Sequence, residues 1–357
     1  MKYYIIAGEA SGDLYASDLM RALQKQDPAC EVRLRGSDAA TAVMGVVEVL
    51  GQAHRIGARL AACKREIRAW SPDVVVLVDY PGFNLKMARF AHRLGCRVAW
   101  YIAPKVWAHK ASRVRNLRRD VDALYCIFPF ELPWFRAHRL EPRYFGNPLM
   151  DRIAATTFRP VGEGKLIALL AGSRSLELRF LMPRFVALED LMQADPRFAG
   201  YRLVVAAASS LPEDLYRKYL PATSHIEVVS GRTYDVLHQA DAAVVCSGTA
   251  SLEAALIGTP QVVCYGFHPL TYAIAKHTVR VPYISLANLC LNRSVFPELV
   301  QGAATPERML KELERLLWDA SCRNRMAADY EELKQMLGDA GAAARIAEDM
   351  HETFARI

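Results

Sequence analysis

The feature of this sequence that most constrains its fold is an alternation of two patterns, which runs through the chain twice. Short runs of apolar and β-branched residues alternate with stretches of helical periodicity, and this predicts parallel strands joined by crossover helices. In the first half the predicted strands are Tyr3–Ala7, Glu31–Leu34, Val74–Asp79, Arg97–Ile102 and Ala123–Ile127. In the second half they are Leu166–Leu170, Arg202–Ala206, Ile226–Val229, Ala242–Cys246 and Gln261–Tyr265. Two Rossmann-like, doubly wound α/β domains in series are the simplest architecture for this pattern.

Turn residues mark the join between the two series. Around Tyr144–Asp151 a short apolar run ends in Gly-Asn-Pro, and the loop-like segment Arg159–Gly164 follows it. The chain of 357 residues also exceeds the length that one hydrophobic core usually organises. We therefore predict a first domain over residues 1–150 and a second over residues 151–320, facing each other across a cleft. The helical segment 321–357 is expected to pack back on the first domain.

Several classes of protein are disfavoured by simple patterns. No segment reaches the ~18 uninterrupted apolar residues that a membrane span needs, so we expect no spanning helix. The first strand runs directly into a turn, which is unlike a secretory signal and favours a cytoplasmic location. The eight cysteines show neither a CxxC pair nor the Cys/His spacing of a zinc site, so we expect no metal centre.

The formal net charge of +7 indicates a polyanionic partner, which could be nucleic acid, an anionic membrane face or a phosphorylated substrate. Much of the charge lies in His54–Trp70 and Lys105–Arg119, where Arg and Lys alternate with apolar residues at helical spacing. Such helices are typical of proteins that lie on membrane surfaces. An ordinary amphipathic domain helix has the same pattern, so both alternatives remain open.

The candidate site residues follow the predicted strands, because ligands of doubly wound sheets bind beyond the carboxyl ends of the strands. Gly8–Asp13 (GEASGD) comes directly after the first strand and opens a helix, whose N-terminus favours an anion or a polar substrate. The segment has neither the GxGxxG spacing nor the lysine of phosphate-binding loops. A plain turn that is capped by Ser11 or Asp13 would look the same.

Two further loops of the first half carry polar residues at strand ends. Asp79 leaves an apolar strand just before a Pro-Gly turn, where it could take a proton from a bound hydroxyl or cap the next helix. The next strand is followed by Lys105, which could meet a phosphate, and by Trp107, which could stack on a sugar or an acyl chain. Both could equally be packing residues at the surface.

In the second half, two loops together predict a nucleotide-diphosphate site. One ends in Arg174, whose guanidinium and neighbouring backbone amides suit a diphosphate. The other opens a helix with small hydroxyl residues and places Glu253 on its first turns, where a carboxylate can accept both hydroxyls of a ribose. The residues of these loops are Gly172, Ser173, Arg174, Ser247, Gly248, Thr249, Ser251 and Glu253. Because Arg174 and helix dipoles can neutralise the diphosphate, we expect neither a metal nor another cofactor.

The motifs occur in the order of one known family. GEASGD, VDYPGFN, YIAPKVWA, GNPL, LLAGSR, CSGTASLEAAL, PLTYAIAK and VPYISLANL run from residue 3 to about residue 300 and together resemble the lipid-A-disaccharide synthase family. The resemblance implies a B-type glycosyltransferase fold. It also implies an inverting transfer of 2,3-diacylglucosamine from UDP to the 6-hydroxyl of 2,3-diacylglucosamine 1-phosphate, which gives a β-1,6-linked disaccharide phosphate and UDP.

The resemblance also implies partners and a location. The expected partners are UDP-2,3-diacylglucosamine and the lipid monosaccharide phosphate. Nucleic acid is not an expected partner, and the chain could form a homodimer. The location is the cytoplasmic face of the inner membrane, on which the enzyme is peripheral. The basic, apolar helices fit this location because anionic lipid and acyl chains would both attract them.

Roles for single residues follow from the same resemblance. Asp79 in VDYPGFN matches the essential acid of the family, which we assign as general base on the acceptor hydroxyl, and Arg174 matches the essential arginine on the donor side. Glu9 and Ser11 are expected to face the cleft. Asn288 in SLANL matches another residue on which the family depends. The residues expected to line UDP are Ser173, Ser247, Thr249, Ser251 and Glu253.

One segment departs from the family pattern. The family follows its second strand with a Gly-Gly turn and a longer segment before a Met-Gly element, whereas here Arg35-Gly36 leads within a few residues to Met44-Gly45. The donor-side motifs are intact. The acceptor side, which the first half builds, is therefore where this chain is expected to differ.

Two other functions use parts of the same pattern. A UDP-N-acetylglucosamine 2-epimerase would bind UDP in the same way without an acceptor, but it has no use for lipid-facing helices or for VDYPGFN. A non-catalytic nucleotide-sugar-binding or RNA-binding protein would explain the positive charge. It would leave Asp79 without a role, and no RNA-binding motif is visible in the sequence.

Overall fold

The computed structural model describes residues 1–8, 10–36, 53–108, 111–266 and 282–355, and for residues 10, 11 and 53 it describes the backbone only. The described residues divide into two compact units. The first unit contains residues up to Asp151 and those from Leu337 onward, and the second contains residues 152–266 and 282–336. The shortened segment that follows Arg35 lies mostly outside the described residues.

Each unit is built on one parallel sheet, and the described residues of each sheet form six strands. The strands of the first unit are β1 (Lys2–Ala7), β2 (Glu31–Arg35), β3 (Val74–Val78), β4 (Arg97–Tyr101), β5 (Ala123–Cys126) and β6 (Pro142–Tyr144). Those of the second unit are β7 (Lys165–Leu170), β8 (Tyr201–Ala207), β9 (Glu227–Ser230), β10 (Ala242–Cys246), β11 (Gln261–Tyr265) and β12 (Glu298–Val300).

Helices connect the strands in both units. In the first half of the chain they are α1 (Ala10–Gln26), α2 (Ala53–Trp70), α3 (Pro81–Arg93), α4 (Val114–Asp120), α5 (Glu131–Ala137) and α6 (Pro148–Ala154). In the second half they are α7 (Ser175–Gln193), α8 (Asp214–Arg217), α9 (Thr233–Gln239), α10 (Thr249–Ile257), α11 (Leu286–Leu291), α12 (Pro306–Trp318), α13 (Ala320–Leu337) and α14 (Ala342–Ala355). Single turns of 3-10 helix lie at Ala111–Arg113, Pro196–Phe198 and Gln301–Ala303.

The strand orders place a topological switch point in each sheet. The first sheet has the order β2-β1-β3-β4-β5-β6, and the second has the order β12-β11-β10-β7-β8-β9. The chain therefore reverses direction across the sheet between β1 and β3, and again between β7 and β10. In open α/β sheets the loops at such a point leave a crevice beyond the carboxyl ends of the strands, where ligands bind. Both sheets confirm the predicted fold class of Rossmann-like, doubly wound units.

The central strands can be recognised in the sequence because they are buried on both faces. All five residues of β3 (VVVLV) are buried, because a parallel strand that is covered by helices on both faces reads as a continuous apolar run. β1 pairs with β3 from Tyr3 opposite Val74 to Ala7 opposite Val78, so the two strands end at the same level. The residues that follow Ala7 and Val78 therefore meet at the carboxyl edge of the sheet.

The basic stretch from His54 to Trp70 forms an amphipathic helix, α2. Its Cys63, Ile67 and Trp70 lie in the core of the first unit, while Arg65 and Arg68 are exposed. The Arg68 guanidinium lies 5.0 Å from the ring centroid of Phe90 on α3. The helix thus packs as a domain helix and presents a basic outer face. Within the described part of the chain, no helix is both long and apolar enough to cross a membrane.

The C-terminal residues are divided between the units. α13 belongs to the second unit except for Leu337, and α14 belongs to the first unit, where it packs against α1. The Asp151 carboxylate accepts hydrogen bonds from the backbone N–H groups of Gly341, Ala342 and Ala343 at 2.6 to 3.0 Å. A carboxylate at this position satisfies the first amides of α14 and interacts well with the helix dipole. This cap joins the C-terminal helix to the end of the first unit.

Candidate functional site

The loop that follows β3 has an unusual backbone. Asp79 and Tyr80 have φ angles of 43° and 47°, so two successive residues other than glycine adopt the left-handed conformation. Such residues are uncommon and cluster at functional sites, where the surrounding structure must hold them. Here the buried Asn84 side chain does so, because its Nδ2 donates to the carbonyl oxygens of Val78 at 3.1 Å and Asp79 at 2.8 Å.

The loop after β1 lies against the same turn. A Cβ atom at Gly8 would lie only 2.2 Å from two ring carbons of Tyr80, so glycine is required for this close approach. The Tyr80 ring also stacks on Phe83, with the ring centroids 5.6 Å apart. The structure therefore brings the start of the GEASGD motif and Asp79 together at the switch point of the first sheet.

Not every residue of these two motifs has the predicted placement. α1 begins at Ala10, so Ser11 and Asp13 lie in its first turn rather than in a loop. Glu9 lies outside the described residues, as does the Ser11 side chain, and their roles stay predictions. Asp79 stands one position before Tyr80, the N-cap residue of α3, whose side chain makes no capping hydrogen bond. Asp79 is half-buried at the carboxyl edge of the sheet.

The loop after β4 borders the Asp79 turn. The Asp79 N–H donates to the carbonyl oxygen of Tyr101, the last residue of β4, at 3.2 Å. In that loop Lys105 is exposed, and the half-buried Trp107 donates from Nε1 to the Glu131 carboxylate at 2.9 Å. Trp107 is thus a packing residue in the described structure, with its ring 5.0 Å from that of Phe130 in an edge-on arrangement.

Glu131 is a buried acid in this region that the sequence motifs do not reveal. Burial raises the pKa of Glu131 to about 7, although hydrogen bonds from Trp107 and the Phe128 amide and the charge of Lys105 all lower it. The signal that could have revealed it is an acid at the start of a helix, directly after the Phe-Pro-Phe segment of residues 128–130.

In the second unit, the loop after β7 is folded around a carboxylate. Gly172 has a φ angle of 100°, and a Cβ atom there would lie 2.2 Å from Oε2 of Glu177. The same Oε2 accepts a hydrogen bond from the Ser173 amide at 2.8 Å, and Oε1 accepts one from Arg174 at 3.0 Å. Tyr216 donates to the Gly172 carbonyl oxygen at 2.9 Å from the neighbouring strand connection. Glu177 therefore holds the Arg174 guanidinium in one fixed arrangement, and a guanidinium with its several N–H donors suits an anion.

Electrostatic effects show which other groups lie near Arg174. Burial is the main cause that raises the pKa of the Cys246 thiol and of the Tyr265 phenol, and the nearby Glu177 charge raises both further. The Arg174 charge lowers both values. Cys246 ends β10 and Tyr265 ends β11, so the carboxyl ends of β7, β10 and β11 meet around Arg174 and Glu177.

The predicted hydroxyl-rich helix start is α10, with Gly248 at its N-cap. Ser251 is fully buried and its hydroxyl donates to the Gly248 carbonyl oxygen at 2.8 Å, so it stabilises the first turn of the helix. Ser247 and Thr249 are half-buried at the edge of the sheet. Ligand contacts by these three hydroxyl groups stay predictions.

Glu253 lies in the second turn of α10 and has a partner that sequence reasoning missed. The Tyr234 hydroxyl, from α9, donates to Glu253 Oε1 at 2.9 Å. Burial raises the pKa of Glu253, whereas the Tyr234 hydrogen bond and the charge of Arg152 lower it. This hydrogen bond to Oε1 fixes the orientation of the whole carboxylate, including Oε2. No local sequence signal links Tyr234 to Glu253, because α9 and α10 meet only in the fold.

Asn288 is placed differently from the other predicted donor residues. Its side chain is fully buried in α11, which packs against α10. Its Nδ2 donates to Phe296 O at 3.1 Å and to Glu298 Oε1 at 3.0 Å, and its Oδ1 accepts from the Val295 amide at 2.8 Å. In the described residues the amide therefore folds the chain between α11 and β12. Contact of Asn288 with a ligand stays a prediction.

Comparison with known sequences decides the family. The sequence model of the family described as "Lipid-A-disaccharide synthetase" matches residues 3–345. The chain belongs to the lipid-A-disaccharide synthase family. The lipid-A-disaccharide synthase of Trichlorobacter lovleyi is 36% identical over 340 residues, which are 88% of each chain. That of Myxococcus xanthus is 36% identical over 352 residues, which are 92% of this chain and 91% of the relative.

Membership of the lipid-A-disaccharide synthase family confirms the resemblance and the enzyme class predicted from the motifs. The chain is a glycosyltransferase of lipid A synthesis. The lipid-A-disaccharide synthase of Geobacter sulfurreducens is 34% identical over 346 residues, covering 91% of this chain and 90% of the relative. The family matches thus span both units, including the loops that carry Asp79 and Arg174.

Comparison with solved structures supports the fold of this synthase family member. A putative UDP-N-acetylglucosamine 2-epimerase from Listeria monocytogenes has a TM-score of 0.71 at 14% identity, covering 100% of this chain and 97% of that one. The glycotransferase of kitacinnamycin has a TM-score of 0.66 at 16% identity, covering 99% of each chain. At these identities the likeness concerns the fold alone.

Proposed function

We propose that the chain transfers 2,3-diacylglucosamine from UDP to the 6-hydroxyl of 2,3-diacylglucosamine 1-phosphate, with inversion at C1. The acceptor oxygen forms a bond to C1 while the bond from C1 to the diphosphate oxygen breaks. The hydroxyl proton passes to a base, and UDP leaves with the electron pair of the broken bond. The products are the β-1,6-linked disaccharide 1-phosphate and UDP. The observation that carries the proposal is the strained, tightly held turn of Asp79 in a member of this family.

Asp79 is proposed as the general base. Its backbone is fixed by the Asn84 amide and by the Tyr101 carbonyl oxygen, and its side chain is half-buried at the edge of the first sheet. A base that is held in one position needs no further ordering when the acceptor binds, and such positioning lowers the barrier. A positioned carboxylate contributes roughly 10²- to 10⁴-fold to the rate of a proton transfer.

The second unit is proposed to bind the UDP portion of the donor. The diphosphate would meet the Arg174 guanidinium, which Glu177 orients, and Ser173 would line it. Negative charge grows on the diphosphate as the sugar leaves, so fixed donors stabilise the transition state more than the ground state. The Glu253 carboxylate, oriented by Tyr234, would accept the ribose hydroxyls. Ser247, Gly248 and Thr249 would line the same nucleotide.

We also propose that transfer requires no metal ion. The support is the guanidinium of Arg174, which supplies positive charge where the diphosphate is expected. Activity in the presence of excess EDTA should equal activity without it. A loss of turnover with EDTA that added magnesium restores would contradict this proposal.

Peripheral attachment to the cytoplasmic face of the inner membrane completes the proposal. It is supported by the exposed basic residues of α2 and of α4, among them Arg65, Arg68, Arg115 and Arg118. Binding to vesicles should increase with the fraction of anionic lipid and decrease with salt, since it depends on charge. Binding that is equal for neutral and anionic vesicles would contradict it.

The reaction is tested by incubating the purified chain with UDP-2,3-diacylglucosamine, with and without the monosaccharide phosphate acceptor. We expect UDP and a disaccharide phosphate to form in equal amounts, and only when the acceptor is present. Mass spectrometry identifies the disaccharide, and a coupled assay measures UDP. UDP release or conversion of the donor without acceptor would instead indicate a hydrolase or an epimerase.

A further inference from the structure

Glu131 is a buried carboxylate that the proposed chemistry does not use. It opens α5, and its side chain is 1% exposed. Its oxygens accept hydrogen bonds from Trp107 Nε1 at 2.9 Å and from the Phe128 amide at 3.2 Å. The thiol of Cys126, at the end of β5, also faces it. The acid therefore joins the loop after β4 to the end of β5.

A carboxylate is a costly choice for packing at this position. Burial of a charge is unfavourable unless hydrogen bonds and opposite charges compensate for it, and an apolar residue of similar size would often be at least as stable. What a carboxylate adds is a directional hold on the indole N–H of Trp107. That hold acts on a single loop, residues 103–108, in which Lys105 is exposed.

The loop is fixed on both sides of Lys105. The Ala103 amide donates to the Tyr125 carbonyl oxygen at 2.9 Å, and the side chain of Val106 is buried in the core of the unit. Since β4 lies beside β3, and the Asp79 amide bonds to Tyr101, the loop borders the turn of the proposed base. Fixing Trp107 thus fixes the loop that carries Lys105 at the same edge of the sheet as Asp79.

We propose that Glu131 is a positioning residue that holds Trp107 and thereby places Lys105 to bind the phosphate group of the sugar acceptor. This inference rests on the proposed function, because it assigns the acceptor phosphate to a particular part of the first unit. It concerns neither the nucleotide nor the chemical step. Its effect is therefore expected on acceptor binding, with donor binding and turnover at saturation unchanged.

The hold depends on the charge of Glu131. Burial raises its pKa to about 7, and the groups that face it are Lys105, Cys126, Trp107 and the amides of residues 127 and 128. The ionised carboxylate accepts from both Trp107 and Phe128 and attracts Lys105, whereas protonation removes the charge. As the pH falls through about 7, the hold on Trp107 weakens.

The test compares the wild type with Glu131→Gln and Trp107→Phe, and uses Glu141→Gln, an exposed residue of the same unit, as control. The assays are carried out in neutral detergent, so that no anionic lipid contributes to the measured KM. We expect the KM for the acceptor to rise roughly tenfold in both variants, with kcat and the KM for the UDP-sugar within about twofold of the wild type. The inhibition constant of an acceptor analogue without phosphate should not change. The double variant should be no worse than either single variant, because both substitutions act on the same contact, that between Glu131 and Trp107.

A second readout does not require activity. The fluorescence of Trp107, obtained as the difference between the wild type and Trp107→Phe, should titrate with a midpoint near pH 7. The same measurement in Glu131→Gln, taken against the double variant, should show no titration. If the wild type forms no disaccharide, the proposed function has failed, and this titration still decides whether Glu131 holds Trp107. A pH-independent signal, an unchanged acceptor KM, or an equal loss for the analogue without phosphate would overturn the inference.

Discussion

Substitution of Gly172 by alanine tests the structure of the loop after β7, which is proposed to bind the diphosphate, most sharply. Gly172 has a φ angle of 100°, which costs about 1–2 kcal/mol for a residue with a Cβ atom. The new Cβ would also lie 2.2 Å from Oε2 and 2.7 Å from the Cβ of Glu177. The second contact involves an atom next to the backbone, so rotation of the carboxylate alone cannot relieve it. Glu177 must leave its position.

The displacement removes the hydrogen bonds that Ser173 and Arg174 make to Glu177. Hydrogen bonds to a charged group contribute about 1.5–3 kcal/mol, and the lower value applies here because the Arg174 side chain is 33% exposed. With two such bonds and the cost of the left-handed backbone, the total loss is expected to be about 4–5 kcal/mol. Gly231→Ala is the matched control, since Gly231 has a φ angle of 70° and an added Cβ would have no atom within 4 Å. That variant should lose only about 1–2 kcal/mol.

Thermal unfolding and UDP titration calorimetry measure the two consequences. We expect Gly172→Ala to lower the Tm by about 6–12 °C more than Gly231→Ala does, as follows from a difference of about 3 kcal/mol in a unit of this size. The affinity for UDP should fall at least about tenfold in Gly172→Ala alone, because losing one oriented donor costs about that much. Equal losses of Tm in the two variants, or an unchanged UDP affinity in Gly172→Ala, would refute the reasoning.

Three further predictions concern the first unit. Gly8→Ala should displace Tyr80 and lower kcat at least about tenfold, whereas Gly12→Ala, whose Cβ would have ordinary contacts at 3.7 Å, should keep it. Asn84→Ala should lower kcat similarly with unchanged UDP affinity, and equal loss of both would contradict a local role. The raised pKa of Glu131 makes a stabilising contribution that is present below pH 4.5 and is lost as pH rises to about 7. In urea unfolding, the free energy of unfolding of the wild type should therefore decrease by about 3 kcal/mol over this pH range, and that of Glu131→Gln should not.

The sequence predicted the long central strands well because their burial on both faces gives continuous apolar runs. It did not predict β6 (Pro142–Tyr144) or β12 (Glu298–Val300), which are three-residue strands at the edges of the sheets. Such strands are too short to show a periodicity, and one of them begins with proline, which is confined to edges and strand starts. Their pairing depends on the neighbouring strand rather than on their own residues.

The candidate site was predictable where its parts are neighbours in the sequence. Gly172, Ser173 and Arg174 occupy one loop, and the order of the motifs identified the family. The left-handed conformation of Tyr80 was not predictable, because a residue before proline usually adopts an extended conformation. The contacts of Tyr80 with Gly8, and of Tyr234 with Glu253, join distant segments. Only the assembled fold places them together.

The central claim is that Asp79 acts in the transfer step, whereas the proposed nucleotide site binds UDP. The variant Asp79→Asn tests this claim most directly. Asparagine adopts the left-handed conformation readily, so the variant keeps the backbone at a φ angle of 43° and removes only the charge. Asp339→Asn, at an exposed position of the same unit, is the control. We expect kcat to fall by at least about 10²-fold in Asp79→Asn while the Kd for UDP stays within about twofold. Retained turnover, or a loss of UDP affinity that parallels the loss of turnover, would contradict the account.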